Sequence, residues 1–246
     1  MKNATGFMPG KTLTSELCAA MKRIESRGVT YPEGYHRTVV EKYTREGVRY
    51  PHILMILGKP RINHHFFYLR MLIRTGRLLD YGCGTGDNVR QLIRDGFSRD
   101  RVTAFDINRE SIDLGFDLYY DRDEMVDLFV VSGTCPFGPE EFDTIYSASV
   151  IHVIADEQEF RDYLVHAYSA LKPGGIFFGS TLGLAEGAVR SPEERGPTRI
   201  LTKEQLTGYL GGAGFTRPEI TRRPGVPEYV PHHEDLCILE FCTVKE

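Results

Sequence analysis

Three glycines at alternate positions, Gly82, Gly84 and Gly86, form the most informative motif in the sequence. They follow a short apolar segment that ends at Asp80, and Asp87 stands where a helical pattern begins after them. A glycine-rich turn between a strand and a helix lets a ligand approach the main chain closely at the carboxyl end of the strand. The side chains around this turn therefore decide which ligand the site accepts.

The charges around the turn disfavour a dinucleotide. The third glycine of the fingerprint GxGxxG would fall on Asp87 when counted from Gly82, and on Val89 when counted from Gly84. Two carboxylates near a helix N-terminus would also repel a pyrophosphate bound there, and they favour a ligand with positive charge and no phosphate. Asp106, twenty residues after the last glycine of the turn, stands at the separation at which an acid can bind ribose hydroxyls.

Strand-like and helix-like segments alternate from residue 77 onward, which predicts an α/β fold with a mostly parallel sheet covered on both faces. The last two strands are joined only by the loop 223–234, so we expect them to form an antiparallel pair at one edge. The predicted strands are 77–80, 101–106, 126–131, 142–147, 176–181, 215–222 and 235–244. The predicted helices are 88–94, 109–119, 156–171 and 202–211, the last capped by Thr202.

Five short motifs follow one another in this pattern. They are 80–86 (DYGCGTG), 106–107 (DI), 142–153 (FDTIYSASVIHV), 171–175 (LKPGG) and 214–215 (GF). In this order and spacing they resemble the class I S-adenosylmethionine-dependent methyltransferases. The resemblance covers residues 76–182 closely and 202–244 by topology, and it does not extend to residues 1–74.

The resemblance implies a doubly wound, Rossmann-like sheet of seven strands, mostly parallel with the last strand antiparallel. It also implies S-adenosyl-L-methionine as cofactor and S-adenosyl-L-homocysteine as product. This cofactor carries a sulfonium and an ammonium but no phosphate, in agreement with the charges around the turn. The cofactor-binding residues implied in this way are Asp80, Tyr81, Gly82, Cys83, Gly84, Gly86, Asp106, Ile107, Gly133, Thr134, Cys135 and Ser147.

One position departs from the family pattern. Members usually carry an Asp after the third strand that holds the adenine amino group, whereas residues 131–137 read VSGTCPF here. Thr134, or the main chain near Cys135, is expected to take its place. Cys83, inside the glycine turn, is interpreted as a small packing residue and not as a nucleophile.

Two histidines are the candidate catalytic residues. His152 follows the fourth strand, where cofactor and substrate should meet, and its ordinary pKa suits proton transfer near neutrality. The alternative is that His152 only shapes the pocket, because an in-line methyl transfer needs a base only when the acceptor must lose a proton. His64 precedes an aromatic stretch and can line the substrate pocket, with His65 solvated or capping, or the reverse. No metal site is expected.

The chain divides into a helical N-terminal extension or lid (1–74) and a cofactor-binding domain (75–246), with a substrate-side loop at 182–200. Residues 1–74 contain 13 Lys and Arg and 5 Asp and Glu, a net charge of +8, whereas the remaining 17 and 29 give −12. The basic extension can pack on the acidic body, help to hold an anionic substrate, or form a nucleic-acid arm. Since its basic residues alternate with Tyr, His and apolar residues, the first two interpretations are favoured.

The expected function is methyl transfer to a small organic acceptor, because elaborations at 1–74 and 182–200 resemble those of small-molecule methyltransferases, natural-product enzymes among them. Methylation of RNA or protein through the basic extension is the first alternative, with nucleic acid disfavoured. A rearrangement or cyclisation that uses the cofactor without methyl transfer is the second.

Composition sets the remaining bounds. The 246 residues are 41% hydrophobic and 26% charged, as in an ordinary globular chain. Five cysteines without a CxxC pair indicate a reduced, intracellular protein, and no apolar run is long enough for a membrane span or a signal peptide. We therefore expect a cytoplasmic protein without a membrane partner. Pairing of the basic extension with the acidic face of a second subunit would form a homodimer.

Overall fold

A computed structural model describes residues 12–188, 198–226 and 233–246 of the chain. The helices in these ranges are α1 (Leu13–Glu25), α2 (Tyr35–Glu46), α3 (Ile53–Ile56), α4 (Tyr68–Leu72), α5 (Asp87–Arg94), α6 (Arg109–Tyr119), α7 (Arg122–Met125), α8 (Glu157–Ala170) and α9 (Lys203–Gly212). The strands are β1 (Leu78–Tyr81), β2 (Val102–Asp106), β3 (Phe129–Val131), β4 (Phe142–Ala148), β5 (Leu171–Leu184), β6 (Thr216–Arg223) and β7 (Leu236–Val244).

The seven strands form one sheet in the order β3-β2-β1-β4-β5-β7-β6. The first five are parallel to their neighbours, and β7 pairs antiparallel with both β5 and β6. This confirms the predicted fold class. Because the chain reverses its direction across the sheet at β1, the carboxyl ends of β1 and β4 flank a topological switch point, where ligands of such sheets bind.

Alternate residues of each strand enter two separate cores. On one face Leu79, Ile145 and Phe177 pack under α8 and α9. On the other face Leu78 and Phe178 pack with residues of α5, α6 and the segment 62–71. Both faces are covered, which explains why the central strands β1 and β4 are buried almost continuously rather than at alternate residues.

The N-terminal helices pack on the outer side of α6. Leu17 and Leu54 are fully buried with Leu114 and Leu118 in a third core. The Lys42 Nζ and the Tyr43 hydroxyl both donate to the Asp117 carboxylate, at 2.5 and 2.8 Å. Helix α6 therefore lies between the sheet and the N-terminal helices, which form a further layer of the fold.

Two sequence predictions of strands were wrong in extent. Residues 126–128 form a 3-10 turn, because Met125 and Leu128 are buried at a spacing of three residues while Val126 is 48% exposed. Strand β5 spans Leu171–Leu184 instead of 176–181, since Leu171 already pairs with Phe142 of β4 and the ladder with β7 continues to Leu184. The expected loop at 182–200 thus begins later, and residues 189–197 of it lie outside the described ranges. Within these ranges no helix has the length and apolar character needed to cross a membrane.

Packing of the N-terminal layer can be tested with a matched pair of leucines. Leu54→Ala should lower the free energy of unfolding by about 2–5 kcal/mol, because it removes a fully buried side chain. Leu69→Ala, at a leucine that is 76% exposed, should change it by less than about 0.5 kcal/mol. Urea unfolding of both variants, followed by circular dichroism, measures the difference. A small loss for Leu54→Ala, or a separate early transition, would mean that the extension is not part of the same folding unit.

Candidate functional site

The glycine turn between β1 and α5 is held by main-chain hydrogen bonds. The amide groups of Gly82 and Cys83 both donate to the Phe105 carbonyl of β2, at 2.8 and 3.0 Å. Gly82 has a φ of +82°, and a Cβ at this position would lie 2.2 Å from a methyl group of Val150. A side chain is thus excluded both by conformation and by space.

Helix α6 packs against the same turn through a glycine that the sequence analysis did not single out. A Cβ on Gly115 would lie 2.2 Å from the carbonyl oxygen of Thr85, which is main chain and cannot move aside without the turn. An isolated glycine within a helical pattern is the signal that could have found it, because such a residue costs stability unless close packing requires it. Gly115 lets the helix support the turn from behind.

Asp80, at the end of β1, is a buried carboxyl group without a partner. Its side chain is 1% exposed, and neither carboxyl oxygen has a hydrogen bond within the described ranges. Burial, with the nearby Asp106 charge, raises the pKa of Asp80 to about 8, although Arg61 opposes the shift. An unpaired buried carboxyl is costly, and a cation bound beside it would stabilise its charged form.

Asp106, at the end of β2, is held by the main chain. Its Oδ2 accepts the amide of Gly84 at 2.7 Å, and its Oδ1 accepts the amide of Asn108 at 2.8 Å. Burial raises the pKa of Asp106, and the two N–H groups partly oppose this. Since each carboxylate oxygen has a second lone pair, the group keeps acceptor capacity for two hydroxyl donors. Next to it, the apolar Ile107 side chain is 67% exposed at the same edge of the sheet.

Asp87, in contrast, is already occupied by protein donors. Its Oδ1 accepts the amide of Gly58 and the hydroxyl of Tyr119, both at 2.6 Å, and its Oδ2 accepts the Thr85 hydroxyl. The two carboxylates that the sequence places around the turn thus have different environments. Asp80 has no protein donor within the described ranges, and Asp87 joins the turn to the N-terminal layer.

Ser147 lies beneath the turn rather than facing open space. Its hydroxyl donates to the Tyr81 carbonyl at 2.7 Å and accepts the Tyr163 hydroxyl at 2.6 Å. The rings of Tyr81 and Tyr163 pack at 4.7 Å between centroids. This buried hydrogen-bond network holds Tyr81, the residue before Gly82, in place. Ser147 thus helps to position the glycine turn.

The remaining residues expected to bind the cofactor surround the same edge of the sheet. Gly133 and Thr134 are exposed in the segment after β3, and Cys135 is half-buried. Cys83 is buried, and burial with the nearby carboxylates raises the pKa of its thiol, so that it stays protonated. Among the described residues, no group of three or more His, Cys, Asp or Glu could hold a metal ion.

The two candidate histidines have different surroundings. His152 is half-buried after β4, and its Nδ1 lies 3.2 Å from the hydroxyl of Thr181. Burial lowers the pKa of His152 to about 4, with further lowering by Arg61 and His52. His64 is exposed in a 3-10 turn, whereas the next residue, His65, is buried with its Nε2 at 2.9 Å from the carbonyl oxygen of Gly179. The segment 53–62, next to the glycine turn, also brings Arg61 to this edge of the sheet. The sequence analysis did not identify Arg61 as a site residue.

Comparison with known proteins finds one family match and several distant relatives. Residues 78–175 match the family described as "Methyltransferase domain". Methyltransferase adrK of Penicillium rubens is 41% identical over 54 residues, which cover 22% of this chain and 20% of that protein. The asnovolin E/chermesin D methyltransferase nvfJ of Aspergillus novofumigatus is 24% identical over 120 residues, 45% of this chain and 43% of that protein. The chain thus matches less than half the length of these relatives.

Solved structures show the same fold at low sequence identity. A putative sarcosine dimethylglycine methyltransferase from Galdieria sulphuraria superposes with a TM-score of 0.59 at 14% identity, over 89% of this chain and 92% of that one. The [4+2]-cyclase SpnF superposes with a TM-score of 0.55 at 20% identity, over 69% and 74%. The chain therefore shares its fold with both proteins.

The contact between α6 and the glycine turn generates a test. Gly115→Ala should weaken binding of S-adenosylhomocysteine by about tenfold or more, because overpacking against main chain costs about 1–3 kcal/mol and displaces the turn. Gly208→Ala in α9 is the matched control, since a Cβ there meets nothing within 4 Å. Isothermal titration of both variants gives the two affinities. Equal affinities would show that the close approach at Gly115 does not support the ligand site.

Proposed function

Because residues 78–175 are a methyltransferase domain of the class I, S-adenosylmethionine-dependent type, we propose that this chain transfers a methyl group to a small organic acceptor by in-line displacement. The observation that carries the proposal is the unpartnered, buried carboxyl of Asp80 beside the glycine turn at the end of β1. Such a site fits a ligand with a sulfonium and an ammonium group. It does not fit a pyrophosphate, which would place negative charge beside Asp80, Asp87 and Asp106.

The cofactor, when bound, supplies an electrophilic methyl group on a positively charged sulfur. In this proposal the chain's own residues hold and orient it. Asp106 accepts the ribose hydroxyls while its Oδ2 stays fixed by Gly84, and the exposed Ile107 side chain packs on the adenine. Thr134 and the main chain near Cys135 provide the polar contacts at the adenine edge. Most of the rate enhancement then comes from orientation and proximity, which need rigid elements and no acid or base.

A small acceptor is favoured because basic side chains of the N-terminal layer are used inside the fold. Arg23 donates to main-chain carbonyls of α3 and of Leu57, Arg27 to Gln91, and Lys42 to Asp117. The contacts of Arg27 and Lys42 support the interpretation that the basic extension packs on the body of the fold. All of these contacts leave fewer cations for an RNA or a protein. The relative nvfJ is named an asnovolin E/chermesin D methyltransferase, which supports a small-molecule acceptor here.

A second candidate function is cofactor-dependent catalysis without methyl transfer. The structural similarity to SpnF, a [4+2]-cyclase, favours this candidate, since it shows that the fold also occurs in a protein named for cyclisation. The two candidates differ in one product. Methyl transfer releases one S-adenosylhomocysteine per turnover, whereas cyclisation releases none.

Calorimetric titration with S-adenosylmethionine and S-adenosylhomocysteine tests the proposal. Binding of both ligands at micromolar affinity, about −8 kcal/mol, is expected. Asp106→Ala should abolish binding because it removes the acceptors for both ribose hydroxyls. Asp127→Ala, at an exposed carboxylate on the far side of β3, should bind like the wild type. Absence of binding by the wild type would contradict the proposal, and so would undiminished binding by Asp106→Ala.

Proton linkage at Asp80 gives a second test. Below pH 8 the free protein holds Asp80 largely protonated, and a cationic ligand favours the ionised form, so ligand binding should release a proton. Affinity for S-adenosylmethionine should therefore rise with pH between about 6 and 8, and Asp80→Asn should remove this rise. In the ligand-free protein, Asp80 lowers the free energy of unfolding progressively as the pH rises from about 4 to 8. The reason is that the Asp80 carboxyl ionises at a lower pH in the unfolded chain than in the folded one. Titration in buffers of different ionisation enthalpy counts the protons, and no release at pH 7 would contradict the assignment.

A further inference from the structure

Arg61 is held over the edge of the sheet next to the carboxyl end of β4. Its own amide and that of Ile62 donate to the Asn88 side chain at 3.1 and 3.2 Å, which anchors the segment to α5. Its guanidinium donates to the Ser149 hydroxyl, in the loop that follows β4. That hydroxyl is neutral, so the Arg61 charge has no carboxylate in hydrogen-bond contact within the described ranges. The Arg61 charge partly opposes the rise in the pKa of Asp80 that burial causes, and it contributes to the lowered pKa of His152.

His152 follows β4, and the contacts of its Nδ1 indicate one tautomer. The Leu182 amide points to Nδ1 at 3.4 Å, and a main-chain N–H can only donate. Nδ1 is therefore the unprotonated nitrogen of a neutral ring, and the proton is on Nε2. Within the described ranges Nε2 has no hydrogen-bond partner, and the side chain is half-buried. His152 thus offers its Nε2–H as a hydrogen-bond donor near the carboxyl end of β4.

Burial and two basic side chains near His152 keep its ring neutral. Arg61 from the segment above and His52 from the turn before α3 both lower its pKa, in addition to burial. The ring stays neutral down to about pH 4, so that the N–H remains a donor throughout the physiological range. Its only free nitrogen is protonated, so this geometry gives the site no base at His152.

We propose that the methyl acceptor of this site is an organic acid that arrives already ionised, and that Arg61 and the Nε2–H of His152 bind its oxyanion. The proposal rests on the proposed function and narrows its acceptor class. Val153, next to His152 and 64% exposed, adds an apolar surface for the carbon skeleton of the acid. A carboxylate, an enolate or an acidic phenolate has the required chemistry, whereas an amine or an ordinary alcohol does not.

The bond changes balance without a proton acceptor. The ionised oxygen forms the new bond to the methyl carbon, and the electron pair of the breaking carbon–sulfur bond goes to sulfur. Anion and sulfonium thereby become two neutral products, an ester or ether and a thioether. No proton leaves the acceptor in this step, which agrees with a histidine whose accessible nitrogen is a donor.

The tautomer of His152 can be measured without any acceptor. Long-range ¹H–¹⁵N spectra of labelled protein saturated with S-adenosylhomocysteine should show His152 with a bare Nδ1 and a protonated Nε2 at pH 7, unchanged down to pH 5. The His152→Gln variant assigns the signals by their loss. A protonated Nδ1, or an imidazolium at pH 7, would overturn the proposal.

A matched set of probes tests the acceptor class. Benzoate, benzyl alcohol and benzylamine are titrated into the protein saturated with S-adenosylhomocysteine and followed by saturation-transfer NMR. Benzoate should bind at least about tenfold more tightly than the other two, and Arg61→Gln should remove this preference while Arg61→Lys retains part of it. Arg45→Gln, at an arginine side chain that is 74% exposed, should behave like the wild type.

The outcomes separate this proposal from the proposed function. Failure of S-adenosylhomocysteine to bind would contradict the proposed function before any probe is added. Normal cofactor binding, with no benzoate binding or with benzoate binding that Arg61→Gln leaves unchanged, would overturn only the assignment of an ionised acceptor. Retained affinity of Arg61→Gln for S-adenosylhomocysteine shows that the variant is folded at the site.

Discussion

The site depends on one constraint: the chain must turn sharply at the end of β1 while it keeps the Asp80 carboxyl buried and unpaired. The turn is fixed from three directions, by the Phe105 carbonyl from β2, by the Ser147 network from below and by Gly115 from behind. None of these contacts touches the Asp80 oxygens. The energy of packing thus maintains a polar group that is unsatisfied without a ligand, as is common at binding sites.

The N-terminal layer is hydrogen-bonded to the helix that follows the glycine turn. Asp87 and Asn88 in the first turn of α5 accept main-chain amides from residues 58, 61 and 62. The helix that begins at the glycine turn therefore also places Arg61 next to the loop after β4, where we propose that the acceptor binds. The N-terminus of α5 thus contacts both the glycine turn and the segment that carries Arg61.

The sheet and the glycine turn could be predicted from the sequence because their signals are local. Apolar strands, capping residues such as Thr202 and glycines at fixed spacing are all visible within ten residues. Gly115 and Arg61 could not be predicted in the same way, since their roles arise from contacts across 30 and 88 residues with Thr85 and Ser149. The extent of β5 was missed for a similar reason, because its ladder with β7 depends on the end of the chain.

Charge balance connects the two sides of the site. A sulfonium beside Arg61 would be repelled if the site held only that cation, but the carboxylates of Asp80 and Asp106 offset this repulsion. An anionic acceptor adds a further negative charge beside Arg61. Methyl transfer then neutralises the acceptor anion and the sulfonium in one step. Reactions that neutralise charge gain from a site of low polarity, provided that the anion is not bound too strongly in the ground state. An arginine hydrogen-bonded to a serine hydroxyl rather than to a carboxylate meets that condition, because it keeps its charge for the acceptor while part of its hydrogen-bonding capacity is already used.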